Sequence, residues 1–393
     1  MDLVDRDHAL LSELTRRHLD RALLRAEPML AGLGTRRFHR LFFAHGEPST
    51  LVARIEPDPK RDTVANRESN PVQDTVSHRE SNPVQDTVSH RESNPNRESE
   101  SPPLWRAEPA LEPLRSFLEQ AGVPVPASAL HLPECGIDLL EDVGDRSLRR
   151  VALADRDARY QEACGLVAHL QSLSESADRI PAFGRPYDRS LVDSKAWKWL
   201  HWAIPGLLGR NPSPEEADST RDLFAHIARL AEQAPLRLAH RDFKAENLHL
   251  APNPSDPGER MVMIDLQGAF LAPPEYDLVC LLYDLQVDLE ESLIERLFES
   301  ALPQLPDMPS PELAWERFDA LAIARVCKDV AHVVYAAQSR GDGRRWSEIP
   351  RGLELIGRAA RRRENTFPGA RVLTRVIHAL TASFKAADPQ EQG

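Results

Sequence analysis

From Leu10 onward, leucines fall at positions 10, 11, 14, 19, 23 and 24, a spacing close to the helical period. It predicts an amphipathic helix over 8–30 that closes near Gly32. The next stretch, Gly32 to Pro57, changes period: two short β-type runs flank His45-Gly46-Glu47-Pro48, which is the pattern of a hairpin. Then the apolar positions thin out. Asp62-Thr-Val-Ala-Asn-Arg-Glu-Ser-Asn-Pro-Val-Gln73 is followed by near-copies starting at Asp74 and Asp86, a repeat of 12 residues. Each copy has too little apolar surface to offset the entropy of ordering it, and the period is shorter than that of solenoid repeats. A disordered insertion is expected over about 59–103, serving as a linker or as a binding tether. Helical spacing returns at Trp105–Gly122, short strands at Ala129–Val143, and from Asp155 onward the pattern is helical except for strand-like runs within 236–271. The expected fold is α+β, with a small β-rich lobe over 1–145 and a larger helical lobe over 146–385.

Composition narrows the function classes. The chain has 393 residues, 41% of them apolar, enough to bury a sizeable core. Its 49 Lys and Arg against 61 Asp and Glu give a formal net charge of −12, which argues against nucleic acid or an anionic membrane as partner. Cys135, Cys164, Cys280 and Cys327 are far apart and form no metal-ligand spacing, so reduced, buried thiols are expected. The N-terminus lacks a continuous apolar stretch, and no run reaches the roughly 20 residues needed to span a bilayer. A soluble, cytoplasmic protein is expected.

The chemistry concentrates in Leu236-Arg-Leu-Ala-His-Arg-Asp-Phe-Lys-Ala-Glu-Asn-Leu-His-Leu250, a polar loop between two apolar runs that reads HRDxxxxN, the catalytic-loop pattern of kinases. Such a loop needs a carboxylate to accept or orient the proton of an attacking hydroxyl, and Asp242 supplies it. Asn247, five positions on, offers an amide oxygen to Mg²⁺. A further β-type run, Met261-Val-Met-Ile264, delivers Asp265 as a second oxygen ligand. His240 and Arg241 read as supports of the loop.

These motifs resemble the aminoglycoside-phosphotransferase family. Within it they are similar to the cell-wall sugar kinases that act on the anomeric hydroxyl of N-acetylmuramate and N-acetylglucosamine. The resemblance rests on His240-Arg-Asp-Phe…Asn-Leu-His249, Ile264-Asp-Leu-Gln-Gly-Ala-Phe270, Pro274-Glu-Tyr-Asp-Leu-Val-Cys-Leu-Leu282, and Lys328…Arg340-Gly-Asp-Gly…Ile349-Pro350. It implies a two-lobed, protein-kinase-like fold, ATP and Mg²⁺ as cofactors, Asp242 as base, and Asn247 and Asp265 as metal ligands. Asp277 is implied as an anchor of the catalytic loop, and Leu140 and Glu141 as a hinge meeting adenine through their backbone.

The nucleotide-phosphate side departs from the family pattern. Gly32-Leu-Gly-Thr-Arg-Arg-Phe-His-Arg40 lacks the full glycine-rich motif and reads either as a helix cap and turn or as a loop presenting Thr35, Arg36 and Arg37 to phosphate. Arg54 stands where a strand lysine is usual, either as its replacement or as an exposed strand arginine. Trp197-Lys-Trp-Leu-His-Trp202 reads as a sugar platform or as core. The implied acceptor is a small molecule, an amino sugar by the closest resemblance. An aminoglycoside or amino alcohol, or a nucleotide-binding pseudokinase scaffold, are the alternatives.

Overall fold

The computed structural model describes residues 3–29, 36–57, 108–253, 258–307 and 310–386. The insertion expected at 59–103, with its repeats, lies outside these residues, as does Thr35. The described chain forms two compact units. One holds the residues before 58 together with 127–142, and the other holds 108–126 and everything from 143 onward.

The smaller unit begins with helix α1 (Leu3–Leu19) and continues through strands β1 (Leu23–Pro28), β2 (Arg37–Phe43) and β3 (Thr50–Ile55). The helix is shorter than the leucine spacing predicts. Asp20 at φ 54° breaks it, and Leu23 and Leu24 open a strand that pairs antiparallel with β2, Ala26 opposite Leu41. That ladder is a long-range partnership, which outweighs local helical spacing. The expected hairpin is present as β2–β3, with Arg40 opposite Val52.

Helix α2 (Leu114–Gln120) belongs to the larger unit, whereas β4 (Ser128–Leu132) and β5 (Ile137–Glu141) complete the first sheet in the order β1-β2-β3-β5-β4. Because side chains alternate along a strand, Leu51, Ala53 and Ile55 face one way and pack with Leu11 and Leu14 of α1, while Val52 and Arg54 face the other.

The larger unit runs through α3 (Leu153–Ser172), α4 (Arg189–Lys198), α5 (Ile204–Leu208), α6 (Pro214–Glu232), β6 (Arg237–Ala239), β7 (Leu248–Pro252), β8 (Glu259–Met263), β9 (Phe270–Ala272), α7 (Tyr276–Leu282), α8 (Glu291–Ala301), α9 (Pro311–Arg340), α10 (Ile349–Arg362) and α11 (Ala370–Ala386). The strand-like runs in 236–271 become two separate ladders, β6 with β9 and β7 with β8. Helix α9 is 30 residues long and buries Phe318, Leu321, Ile323, Val326, Val330 and Val334, side chains spread round its circumference, which makes it the central rod of the unit. Ser213 and Glu216 start α6 with reciprocal side-chain-to-backbone bonds. The four cysteines are free thiols, Cys135 half-buried and the rest buried. Among the described residues no helix is long and apolar enough to cross a membrane.

Helix α10 lies against α9 through Gly352, where an added Cβ would sit 2.4 Å from Val330 Cγ2 and 3.2 Å from Leu285 Cδ2. Substitution Gly352→Ala gains about 1 kcal/mol of helix propensity, but overpacking a core contact costs about 1–3 kcal/mol. We expect net destabilisation, read as a lower urea midpoint. A midpoint equal to wild type would mean that the two helices separate freely.

Candidate active site

The two short ladders hold two loops together. β6 leads into residues 240–247 and β7 leads out of them; β8 leads into 264–269 and β9 leads out. Their junction is closed by backbone and ring: Ile264 N donates to Asn247 O at 3.0 Å, and His240 Nε2 lies 2.9 Å from Ile264 O. A carbonyl only accepts, so His240 carries its proton on Nε2. These contacts bring Asn247 and Asp265 to neighbouring positions.

The loop is anchored from below by carboxylates. Asp277, in the first turn of α7, accepts His240 N at 2.6 Å and Arg241 N at 3.1 Å, and it is 1% exposed. Burial pushes its carboxyl pKa up, and the neighbouring His240 side chain and these two N–H groups push back. Asp284, just beyond α7, accepts Ala245 N at 3.1 Å and Gln286 N at 3.0 Å. Sequence reading found Asp277 and missed Asp284. The seven-residue spacing of the two, which returns to the same face of a helix, was the available signal.

Asp242 sits at the loop's bend with 39% of its side chain exposed. Arg325 Nη2 from α9 donates to its Oδ1 at 2.9 Å while Arg325 Nη1 holds Arg241 O at 3.1 Å, and Lys244 Nζ lies 3.6 Å from Oδ2. Burial works to raise the Asp242 pKa, but Lys244, Arg325 and Lys328 outweigh it and hold the carboxylate well below its usual range. Asp242 is therefore ionised at any physiological pH. Asn247 is buried and its amide nitrogen donates to Asp242 O at 2.9 Å, so the amide oxygen is what its side chain can offer a ligand. Asp265 has a left-handed backbone, φ 65° and ψ 45°, and Gln267 Nε2 donates to its Oδ1.

The candidates of the smaller unit are already engaged within it. Arg36 pairs with Glu56 at 3.1 Å and Arg37 with Asp7 at 2.8 Å. Arg54 is 3% exposed, its guanidinium bound by Asp138 at 2.7 Å and by Glu56. Leu140 stands in the ladder opposite Val52, and Glu141 N donates to Ala127 O at 2.8 Å.

Within the aromatic tract, Trp199 is core. Trp202 instead stacks on Tyr335 of α9 at 4.3 Å between centroids, and Trp197 stacks on His201 at 4.5 Å. The tract Trp199–Ala203 is wound as a π-helix, a local widening frequent at functional sites.

A family model described as the phosphotransferase enzyme family, of the aminoglycoside-phosphotransferase type, matches residues 97–317, more than half of the chain, with both loops, Asp277 and Asp284 inside the match and Arg325 beyond it. The chain belongs to this family. It is a phosphotransferase enzyme with the family's two-lobed, protein-kinase-like fold. It is 25% identical over 256 residues to the N-acetylmuramate/N-acetylglucosamine kinase of Neisseria meningitidis serogroup B, covering 62% of this chain and 73% of the relative. It is 29% identical over 238 residues to the enzyme of the same name from Caulobacter vibrioides, covering 56% of this chain and 62% of the relative, which is less than two thirds of that relative's length. Among solved structures, the ADP-bound aminoglycoside phosphotransferase APH(2'')-Ib matches with a TM-score of 0.51 at 14% identity over 89% of this chain and 97% of its own. Choline kinase LicA from Streptococcus pneumoniae matches with a TM-score of 0.52 at 13% identity over 89% and 98%. Both likenesses concern the fold.

The Asp242–Arg325 pair makes a pH prediction. Removing the guanidinium removes a charge that lowers the Asp242 pKa, so in Arg325→Met that pKa rises and an acid limb of kcat/KM moves up towards neutral pH. Phosphotransfer by the wild type should show no such limb above the acid unfolding range. Superimposable profiles, with circular dichroism confirming that the variant is folded, would remove Arg325 from control of this carboxylate.

Proposed function

We propose that this phosphotransferase moves the γ-phosphoryl group of ATP, with Mg²⁺, to the anomeric hydroxyl of an N-acetyl amino sugar, as a cytoplasmic enzyme of cell-wall sugar recycling. The observation that carries this reading is the constellation of an ionised Asp242, fixed by Arg325, beside the joined loops that present Asn247 and Asp265. The acceptor is suggested by the two relatives, both named for N-acetylmuramate and N-acetylglucosamine.

The donor set suits Mg²⁺. No cluster of three or more His, Cys, Asp or Glu that could hold a metal occurs among the described residues. One carboxylate, Asp265, and one amide oxygen, Asn247, match an ion that binds through few protein groups and keeps waters and phosphate oxygens. When bound, Mg²⁺ neutralises charge on the transferring phosphoryl group.

Asp242 orients the acceptor hydroxyl through its outer oxygen. Held far below the usual carboxylate range, it is a weak base, so it takes the proton late, as a loose transition state requires. An anomeric hydroxyl is more acidic than an ordinary alcohol and suits such a base. In this reading Arg54, steadied by Asp138, is the smaller unit's cation for nucleotide phosphates, with Thr35, Arg36 and Arg37 as further phosphate contacts. Leu140 and Glu141 meet adenine through the backbone. Positioning does most of the catalysis.

Asp242→Asn should lower kcat by roughly 10²–10⁴-fold while Mg·ATP affinity is kept, because general-base assistance is of that order. A variant within threefold of wild type would exclude the role. Asp265→Ala should abolish Mg²⁺-dependent nucleotide binding in calorimetry, and unchanged affinity would exclude Asp265 as a ligand. Phosphorus NMR of the sugar product should show coupling to the anomeric proton, and an exclusive 6-phosphate would overturn the assignment.

A further inference from the structure

Beside Asp242, one face of α9 meets one face of α4 and the π-helical turn that follows it. Arg325, Lys328, Asp329 and His332 recur on α9 at helical spacing, and Lys195, Lys198 and Trp202 recur on the facing segment. Two carboxylates, Asp242 and Asp329, meet four basic side chains here. Asp242 is held by Arg325, and Asp329 lies 2.6 Å from Lys328 Nζ and 3.5 Å from Arg325 Nε. Lys195 is buried, with Nζ donating to the Tyr187 hydroxyl at 3.1 Å and lying 4.5 Å from that ring's centroid. Lys198 Nζ lies 6.0 Å from the Trp202 ring centroid. Basic groups thus outnumber carboxylates in a protein that is acidic overall, and burial, then Lys328 and Arg325, holds Lys195 well below its ordinary value, so the surplus is one of basic groups and not of full charges.

The excess is felt by its members. Burial lowers the Lys198 pKa, Lys328 and Arg241 lower it further, and it reaches about 7. His332 is pushed well below its ordinary value by burial, then by Lys328 and Lys198. Nothing in a packing role requires basic groups to crowd against one another at this energetic cost, and an anion placed among them would relieve it. A site built for an aminoglycoside or an amino alcohol would carry the opposite surplus.

Next to the cations stands a flat wall. Trp202 is stacked on Tyr335, and its ring lies 5.7 Å from that of His332. Lys328 is 24% exposed, whereas Lys195 and Lys198 are buried.

We propose that this cluster is an acceptor subsite for a carboxylate, with Lys328 the specificity-determining contact, Lys198 reinforcing it and Trp202 lining the ring. The proposal rests on the sugar-kinase reading above and deepens it. Of the two sugars for which the relatives are named, N-acetylmuramate bears a carboxylate on its lactyl ether and N-acetylglucosamine is neutral, so the acid is the preferred acceptor.

The test is calorimetry on the full chain with N-acetylmuramate and its carboxyl methyl ester, which share every ring group. The acid should bind at least ~10-fold more tightly, the order of one hydrogen bond to a charged group, and the gap should narrow in high salt. Lys328→Met should bring the ratio within about twofold, and Lys328→Arg should keep it. Equal affinity of wild type for acid and ester, no binding of either, or an unchanged ratio in Lys328→Met overturns the proposal. Turnover separates it from the parent reading. Phosphorylation of both sugars without preference for the acid sinks the subsite alone, whereas tighter binding of the acid with no phosphorylation of either sinks the sugar-kinase reading alone.

Discussion

A buried carboxylate receiving two consecutive backbone N–H groups holds the catalytic loop in its shape. Asp277 binds His240 N and Arg241 N, and Arg241 sits at φ 78°, a conformation that costs a non-glycine residue of order 1–3 kcal/mol. Hydrogen bonds to a charged group contribute about 1.5–3 kcal/mol each, so the pair is large enough to offset that strain. With residues 240 and 241 fixed this way, the chain turns sharply and Asp242 points out of the core. Asp284 does the same for the far side of the loop through Ala245 N.

The second constraint comes from α9. Arg325 is buried, and its guanidinium bridges the Arg241 carbonyl and the Asp242 carboxylate. A planar fork can make both contacts at once, which a lysine ammonium at the end of a flexible stem would do less well. The same helix is packed on nearly all sides, including the close approach at Gly352. The rigidity of the helical core is thereby passed to one exposed oxygen of Asp242. On its next turn α9 carries Lys328 and Asp329, so a single helix holds the Asp242 carboxylate ionised and places two further charged groups near it.

Much of the site was legible along the chain because its parts are local. HRDxxxxN, the apolar run before Asp265 and the Asp277 position are short motifs whose spacing reflects a turn and a strand. The hairpin at 37–55 was legible for the same reason, since a turn and two alternating runs are contiguous. The strand at Leu23–Pro28 was not. Its leucines satisfy a helical period equally well, and only its pairing with β2 decides between the two. Arg325, 83 residues from Asp242 in the chain, has no local signature, and neither do the lysines of α4.

The sequence by itself determined the α+β class and the position of the HRDxxxxN loop, because hydrophobic periodicity and short motifs are encoded between near neighbours. Tertiary structure alone decided which cations surround Asp242, that Arg54 is buried against Asp138 instead of exposed on its strand, and that Trp199 is core while Trp202 stacks on Tyr335. Those outcomes depend on which helix faces meet, and charge and burial at such a meeting are properties of residues distant in the chain.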